Sequence, residues 1–316
     1  MSYVTTVIPV YNGEPFIRDT LLSVVNQSRR PDRVVVLENC STDKTYEIVR
    51  DFEREGIECR QLQNHINGGE NYNLALTYAE ETDVLHILTA DDLIKPNFME
   101  RLLEPLKTVK GNALAYSAFE VIDANGSLVE DGDLVNFFPI EMEPQVNEIS
   151  LANFLAKQAV LKTVCTPAVL MKTDRRRVPF ELCMDYIQCA DAVFFSEITS
   201  EYKRFFEISE ALCQYRRHDS SVTSRNRLRP DALVNDFWRA TSRVDEIRGY
   251  NGPLSRFRRK CFIAATTGVL LRGIDELDHE QQRNVVQTAK GITGECAWVL
   301  GNLAIALKRF FGHARH

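Results

Sequence analysis

Val84-Leu-His-Ile-Leu-Thr-Ala-Asp-Asp92 is a short apolar run that stops on two carboxylates. The run has the length of a strand, and Thr89-Ala-Asp-Asp92 after it is loop chemistry. Two runs of the same kind come earlier. Tyr3-Val-Thr-Thr-Val-Ile-Pro-Val10 ends at the turn signal Tyr11-Asn-Gly13, and Arg33-Val-Val-Val-Leu37 leads to the loop Asn39-Cys-Ser-Thr-Asp43. Helical patterns lie between them. Phe16, Ile17, Leu21, Leu22, Val24 and Val25 make one stripe. A second helix, capped by Ser41 or Thr42, runs to about Glu55, a third covers Tyr72 to Glu80, and Pro96 opens a fourth through about Leu106. Strands separated by helices of about 10–15 residues imply βαβ units and a mainly parallel sheet. Ligands of such sheets sit beyond the carboxyl ends of the strands. Tyr11, Glu38–Asp43 and Thr89–Asp92 should therefore share one edge.

The later part reads less regularly. Leu114–Ile122 is expected to be a strand, followed by a hairpin-type turn at Asp123-Ala-Asn-Gly126. Asp131 to Glu148 is acidic and loop-like. Ile149–Leu161 and Phe180–Ile198 carry helical stripes, and Ala168–Lys172 and Phe205–Ile208 read as strands. From Pro230 to Phe311 the pattern is helical.

Composition narrows the class. The 316 residues allow one large domain or about two ordinary ones. Lys and Arg total 38 against 44 Asp and Glu, and a net charge of -6 argues against binding nucleic acid through bulk charge. With 44% hydrophobic and 26% charged residues the chain reads as globular rather than disordered. Its eight cysteines are scattered with no C-x-x-C pair, so neither a zinc finger nor a dense disulfide framework is expected. The first strand lacks the charged start of a secretory signal, and Cys261–Leu271 and Cys296–Leu307 are too short to span a bilayer. These features predict reduced thiols and a cytoplasmic location.

Some residues suggest chemistry on their own. Asp91 and Asp92 repel each other unless a cation or hydrogen-bond donors lie between them. Such hard oxygen ligands suit Mg²⁺ or Mn²⁺ bridged to phosphates, and equally they could decorate the start of the helix at Pro96. Glu38, with Asn39 beside it, could accept bonds from a base or ribose or stand in a solvated turn. Tyr11 and Asn12 could stack on and bond a base or be ordinary turn residues.

Taken together, Val7-Ile-Pro-Val-Tyr-Asn12, Glu38-Asn-Cys-Ser-Thr-Asp-Lys-Thr45 and Thr89-Ala-Asp-Asp92 with Pro96 resemble the family 2 glycosyltransferases of the GT-A fold, over about residues 3–224. Asn71-Tyr-Asn73 resembles that family's Asn-Trp-Asn variant. Three positions depart from the usual motifs. Glu38 and Asn39 stand where two aspartates are normal, and Thr89 replaces the first aspartate of Asp-x-Asp.

The resemblance implies an α/β protein of GT-A type, with a mainly parallel Rossmann-like sheet flanked by helices and here a C-terminal helical extension. Residues 1–110 would form the nucleotide-sugar-binding half, 111–224 the acceptor-binding half and 225–316 the extension. It also implies an inverting enzyme that moves a sugar from a nucleotide diphosphate sugar, with UDP favoured, to a hydroxyl of a glycan or lipid-linked oligosaccharide. Mn²⁺ or Mg²⁺ would assist. Pro9, Tyr11 and Glu38 would form the base and ribose site, with Asn12, Glu14, Asn39, Gly68, Gly69, Asn73 and Ala90 around the donor. Asp91 would be the main metal ligand with Asp92 next to it. His218 would be a further metal or phosphate contact or a plain loop residue. Arg216 and Arg217 would neutralise the pyrophosphate or be surface charge.

An inverting transfer needs a carboxylate that takes the acceptor's proton. The family offers it about two dozen residues before a Tyr-Arg-x-His segment, which Tyr215-Arg-Arg-His218 resembles. Counting back lands on Asp191, preceded by Ala190 rather than the usual Glu. Asp185 is the rival, and on one continuous helix the two would point to different faces. In the extension, Ser255-Arg-Phe-Arg-Arg-Lys260 and the segment from Trp298 to Phe311 mix aromatic and basic residues. They suit a cytoplasmic membrane face, packing on the catalytic domain, or a second copy of the chain. Because Asn39, Thr89 and Ala190 depart from the motifs, a non-catalytic nucleotide-sugar-binding or scaffold protein on a degenerate fold is the competing reading. A nucleotidyltransferase would need a Gly-rich or basic loop that Tyr11-Asn-Gly-Glu14 is not.

Overall fold

The computed structural model describes residues 2–129, 145–161, 164–271 and 278–302. The strands are β1 (Val4–Val10), β2 (Arg33–Glu38), β3 (Ile57–Gln61), β4 (Val84–Ile87), β5 (Leu93–Ile94), β6 (Ala113–Ile122), β7 (Val146–Ile149), β8 (Val169–Lys172) and β9 (Arg204–Arg216). The helices are α1 (Ile17–Val25), α2 (Thr45–Asp51), α3 (Gly68–Leu76), α4 (Phe98–Leu106), α5 (Leu151–Gln158), α6 (Ala190–Glu197), α7 (Val222–Arg227), α8 (Pro230–Ile247), α9 (Pro253–Leu270) and α10 (His279–Thr293).

Among the described residues the strands form one nine-stranded sheet in the order β3-β2-β1-β4-β8-β6-β9-β5, with β7 on β9. β3, β2, β1 and β4 run parallel, β8 is antiparallel to both neighbours, and β6 and β9 are parallel again. β1, β2 and β4 are buried along nearly their whole length because both faces are covered. Alternate residues go to opposite sides. Ile8, Val34, Val36 and Val84 join the core under α1, α2 and α4, while Val7, Val35, Leu37 and Leu85 join the core under α3, α5 and α6.

β9 is the irregular strand. Along β6, Ser117 pairs with Ile208, Ala118 with Ala211 and Phe119 with Cys213, so β9 carries extra residues at two successive bulges. Bulges bend a strand and re-aim the residues beyond them. Past the bend, Cys213 and Gln214 also pair with β5, just after the Asp91–Asp92 loop. This returns Arg216, Arg217 and His218 to the edge where β1, β2 and β4 end.

The structure corrects two expectations. The helix expected over Phe180–Ile198 exists only from Ala190 to Glu197. Phe180, Leu182, Tyr186 and Ile187 have helical spacing, but they pack from an irregular segment whose backbone bonds side chains instead. The acidic stretch expected to be a loop includes β7, which pairs with β9 through Ile149 and holds Arg204 on Glu148. The rest of that expectation, 131–144, lies outside the described residues.

α8, α9 and α10 share a core with Cys189 and Val193, so the extension packs on α6. Trp298 is half-buried against that core, whereas Val299 and Leu300 are exposed. The basic and aromatic end expected at 308–311 lies outside the described residues. No helix of the described residues is long and apolar enough to cross a membrane.

Candidate active site

The strand ends open into a cleft of about 1050 Å³. Pro9, Tyr11, Asn12, Asn39, Gly68, Gly69, Ala90, Asp91, Asp92, Asp191, Arg217 and His218 all line it. Glu14, Glu38, Asn73, Asp185 and Arg216 do not.

At the first strand end two loops are stitched together. Asn12 accepts from the Thr42 amide at 2.8 Å, Ser41 accepts from the Asn12 amide, and Thr45 accepts from the Gly13 amide. Asn12 and Cys40 take left-handed backbone conformations, with φ of 50° and 59°. The Glu14 carboxylate accepts from the Lys44 amide at 3.1 Å, which makes it part of the stitching rather than a donor contact. A side chain at Gly13 would meet Val10 at 2.7 Å, so the close loop crossing needs glycine. Burial works against ionisation of Asp43, but bonds from Thr45 and the Glu14 amide hold its carboxyl below the usual range.

Glu38 is a correction. Its side chain is fully buried, one oxygen accepts from the Ser41 amide at 2.6 Å, and it does not face the cleft. Asn39 does line the cleft, yet its amide group is paired with both backbone atoms of Ile66, at 2.7 and 2.9 Å. That pairing presents His65, whose ring lies 4.4 Å from Tyr11. Tyr11 and His65 are thus the aromatic surface of this end. His65 had no sequence signal beyond standing in the loop before Asn67. Asn73 is also corrected: it receives the Leu182 amide at 2.7 Å and so anchors the segment ahead of α6.

The Asp91–Asp92 loop is fixed from several sides. The Thr20 hydroxyl of α1 bonds the Ala90 and Asp92 carbonyls at 2.9 and 3.0 Å. Asp92 is buried, and its two oxygens accept from the Arg216 amide at 2.7 Å and the Thr89 hydroxyl. Burial, then the charge of Asp91, push its carboxyl well above the usual range against those bonds. Thr89, in the place of the motif's first aspartate, therefore serves Asp92. Arg216 is corrected too. Its guanidinium is buried, donates to the Asp91, Asp123 and Ala124 carbonyls, and lies 5.0 Å over Phe16. It holds the loop and does not reach the cleft.

Asp91 and His218 face the open side. His218 Nε2 stands 3.1 Å from an Asp91 carboxylate oxygen, Nδ1 stands 2.8 Å from the Ser220 hydroxyl, and the ring packs on Phe16 at 4.5 Å. The orientation of the imidazole is thus set by its second nitrogen. A carboxylate and an imidazole that converge on one point fit a divalent ion such as Mn²⁺. Among the described residues no three ligating side chains come together.

Asp191 stands in the first turn of α6 on the cleft wall. The Thr166 hydroxyl donates to it at 2.7 Å. Burial raises its carboxyl above the usual range, and the Thr166 bonds oppose the rise. The buried Tyr72 phenol lines the same wall and is pushed up by burial and by the Asp191 charge. Asp185 is exposed on a turn, and only its carbonyl is engaged, by Arg239. Of the two carboxylates, then, Asp191 faces the cleft. The far wall is built by Leu233 and Phe237 of α8 and Phe262 and Thr266 of α9, which motif reading did not reach.

Comparison with known proteins shows what the chain is similar to. The family model described as "Glycosyl transferase family 2" matches residues 5–148. TuaG of Bacillus subtilis, a glycosyltransferase named for teichuronic acid biosynthesis, is 28% identical over 126 residues, 39% of this chain and 49% of TuaG. TarS of Staphylococcus aureus, a poly(ribitol-phosphate) beta-N-acetylglucosaminyltransferase, is 29% identical over 135 residues, 38% of this chain and 24% of TarS. The matched stretches thus span about half or less of these relatives' lengths. In three dimensions, TarS residues 1–349 with UDP-GlcNAc superpose at a TM-score of 0.60 and 18% identity, covering 94% of this chain and 83% of that one. The mannosyltransferase PcManGT of Pyrobaculum calidifontis, with GDP-Man and Mn²⁺, gives 0.55 and 15%, covering 98% and 88%. With 94% and 98% of this chain covered, the likeness reaches past the matched family segment and fits the expected GT-A fold.

Proposed function

We propose, from the match of residues 5–148 to the model of glycosyl transferase family 2, that the chain transfers a sugar from a nucleotide diphosphate sugar to an acceptor hydroxyl with inversion. The observation that carries this reading is a single cleft lined by the Asp91–His218 pair and, apart from it, the buried Asp191 carboxyl. Solved relatives hold UDP-GlcNAc in one case and GDP-Man with Mn²⁺ in another, which supports a nucleotide sugar and a divalent ion here. UDP is the favoured nucleotide.

Tyr11 and His65, whose rings are tilted 45° to each other, offer the nucleoside two aromatic surfaces beside Pro9. Gly68, at the start of α3, leaves open space in which the donor can approach the backbone closely, whereas Gly69 is covered by the Met184 side chain. Arg217 lines the cleft with a charge suited to the diphosphate. Asp91 and His218 would hold Mn²⁺ or Mg²⁺, which when bound offsets the charge of the departing diphosphate. Asp191 takes the proton of the acceptor hydroxyl as its oxygen bonds the anomeric carbon and the bond to the diphosphate breaks. A carboxyl raised toward neutrality by burial is a better match for that task than an exposed one.

The acceptor would be a glycan or a lipid-linked oligosaccharide. Exposed Val299 and Leu300 support a contact of the extension with a membrane face or a second copy. A cytoplasmic location goes with this reading, and so does a division at about residues 110 and 224.

The test is thermal stability with UDP, GDP, dTDP and CMP, each with Mn²⁺ and with chelator. A nucleotide at a hundred times its dissociation constant should stabilise by about 2.7 kcal/mol. The expected result is a metal-dependent shift with one nucleotide, lost in Asp91→Ala. No shift with any of them would point to a degenerate scaffold instead.

A further inference from the structure

α6 is a short helix without a cap of its own, since its N-cap residue Cys189 makes no side-chain bond to it. The segment that leads into it is held from elsewhere. Asp236, on α8, is 3% exposed and turns its carboxylate onto the amides that lead into α6. One oxygen accepts from Ile187 at 3.0 Å, and the other accepts from Gln188 and Cys189, each at 2.9 Å. Neighbouring residues hold the same segment. Asn226 of α7 donates to the Ile187 carbonyl at 2.6 Å, and Arg239 of α8 donates to the Asp185 carbonyl at 3.0 Å. The other end of the segment is fixed from α3, where Asn73 receives the Leu182 amide at 2.7 Å.

We propose that Asp236 is a positioning residue for sugar transfer: its carboxylate, from the extension, holds the segment that leads into α6 and so sets where Asp191 stands in the cleft. The proposal rests on the reading of Asp191 as the base. Asp191 lies two residues past the last amide that Asp236 holds, in the first turn. A carboxylate can accept all three bonds at once and favours the positive end of the helix dipole. An amide in its place offers one oxygen and turns an N–H group against N–H groups. A base displaced by about 1 Å can cost about 100-fold in rate. The extension is then part of the catalytic apparatus and not only a cover.

The experiment compares wild type, Asp236→Asn, Asn226→Ala and Asp191→Asn on the full chain. Turnover is read as nucleoside diphosphate released from the sugar nucleotide whose nucleotide the binding panel selects. Affinity is read with that free nucleotide and Mn²⁺, and hydrogen exchange follows the amides of Ile187, Gln188 and Cys189. Asp236→Asn is expected to lower kcat about 100-fold, leave nucleotide affinity within about twofold, and speed exchange at those three amides. Asn226→Ala, the milder change should Asp236→Asn not fold, is expected to lower kcat about tenfold with affinity kept. Unchanged kcat in these variants beside an inactive Asp191→Asn overturns the positioning role alone. Wild-type turnover in Asp191→Asn overturns the base reading, and the positioning role with it. A loss of nucleotide affinity in step with kcat also overturns the proposal, because Asp236 would then only support the fold.

Discussion

Thr166 gives its hydroxyl hydrogen to Asp191, and that bond favours the charged carboxylate against the burial that disfavours it. Thr166→Val removes the bond and keeps the shape. The Asp191 carboxyl should then rise further, and the acid limb of the kcat–pH profile should move to higher pH. A limb that stays in place would mean that Asp191 is not the group it reports. His86 shows the opposite sign. It is fully buried, one ring nitrogen faces the Thr6 hydroxyl and the other the Pro167 carbonyl, and burial lowers it from 6.5 to about 4. Between those values the unfolded chain binds the proton and the folded one does not, so stability from neutral His86 is full above pH 6.5 and is lost as pH falls toward about 4. The advantage of wild type over His86→Asn in denaturant unfolding should shrink by on the order of 3 kcal/mol across that range. A pH-independent advantage would contradict it. At this scale motif spacing located Asp91, His218 and Asp191 on the cleft, because each stands at the end of a regular element. It misplaced Glu38, Asn73 and Arg216, because a motif fixes where a residue lies in the chain but not which way its side chain turns. Those three turn inward to satisfy backbone and loop groups.

Elements were legible where periodicity matched burial. β1, β2 and β4 are short apolar runs, and they are strands buried on both faces. The segment before α6 misled because apolar residues at helical spacing can also anchor an irregular strap, provided side chains such as Asn73 and Asp236 replace the helical bonds. β7 was hidden because an edge strand beside β9 needs little apolar surface. The bulges of β9 leave no sequence mark at all, yet they carry Arg216–His218 to the Asp91 loop. α3 is the element that can be tested most simply. Asn67 accepts from the Glu70 amide and the Glu70 carboxylate accepts from the Asn67 amide, both at 2.9 Å, a reciprocal cap. Asn67→Ala should cost about 1 kcal/mol and lower Tm by roughly 2 °C in calorimetry. An unchanged Tm would mean that the loop from His65 to Gly69 is held by other contacts.

For the whole molecule, the sheet brings three strand ends and one bent strand to a single edge, and the extension closes the far side. The proposed function predicts a separation between binding and chemistry: β1, α3 and the Asp91 loop would hold the nucleotide, while Asp191 of α6 would take the acceptor's proton. The direct measurement is sugar transfer and nucleotide affinity on wild type and Asp191→Asn side by side, with Mn²⁺ present. Asp191→Asn is predicted to lose transfer by about 1000-fold while binding the nucleotide as wild type does. Transfer at the wild-type rate would contradict the account, and so would a loss of binding that matches the loss of transfer.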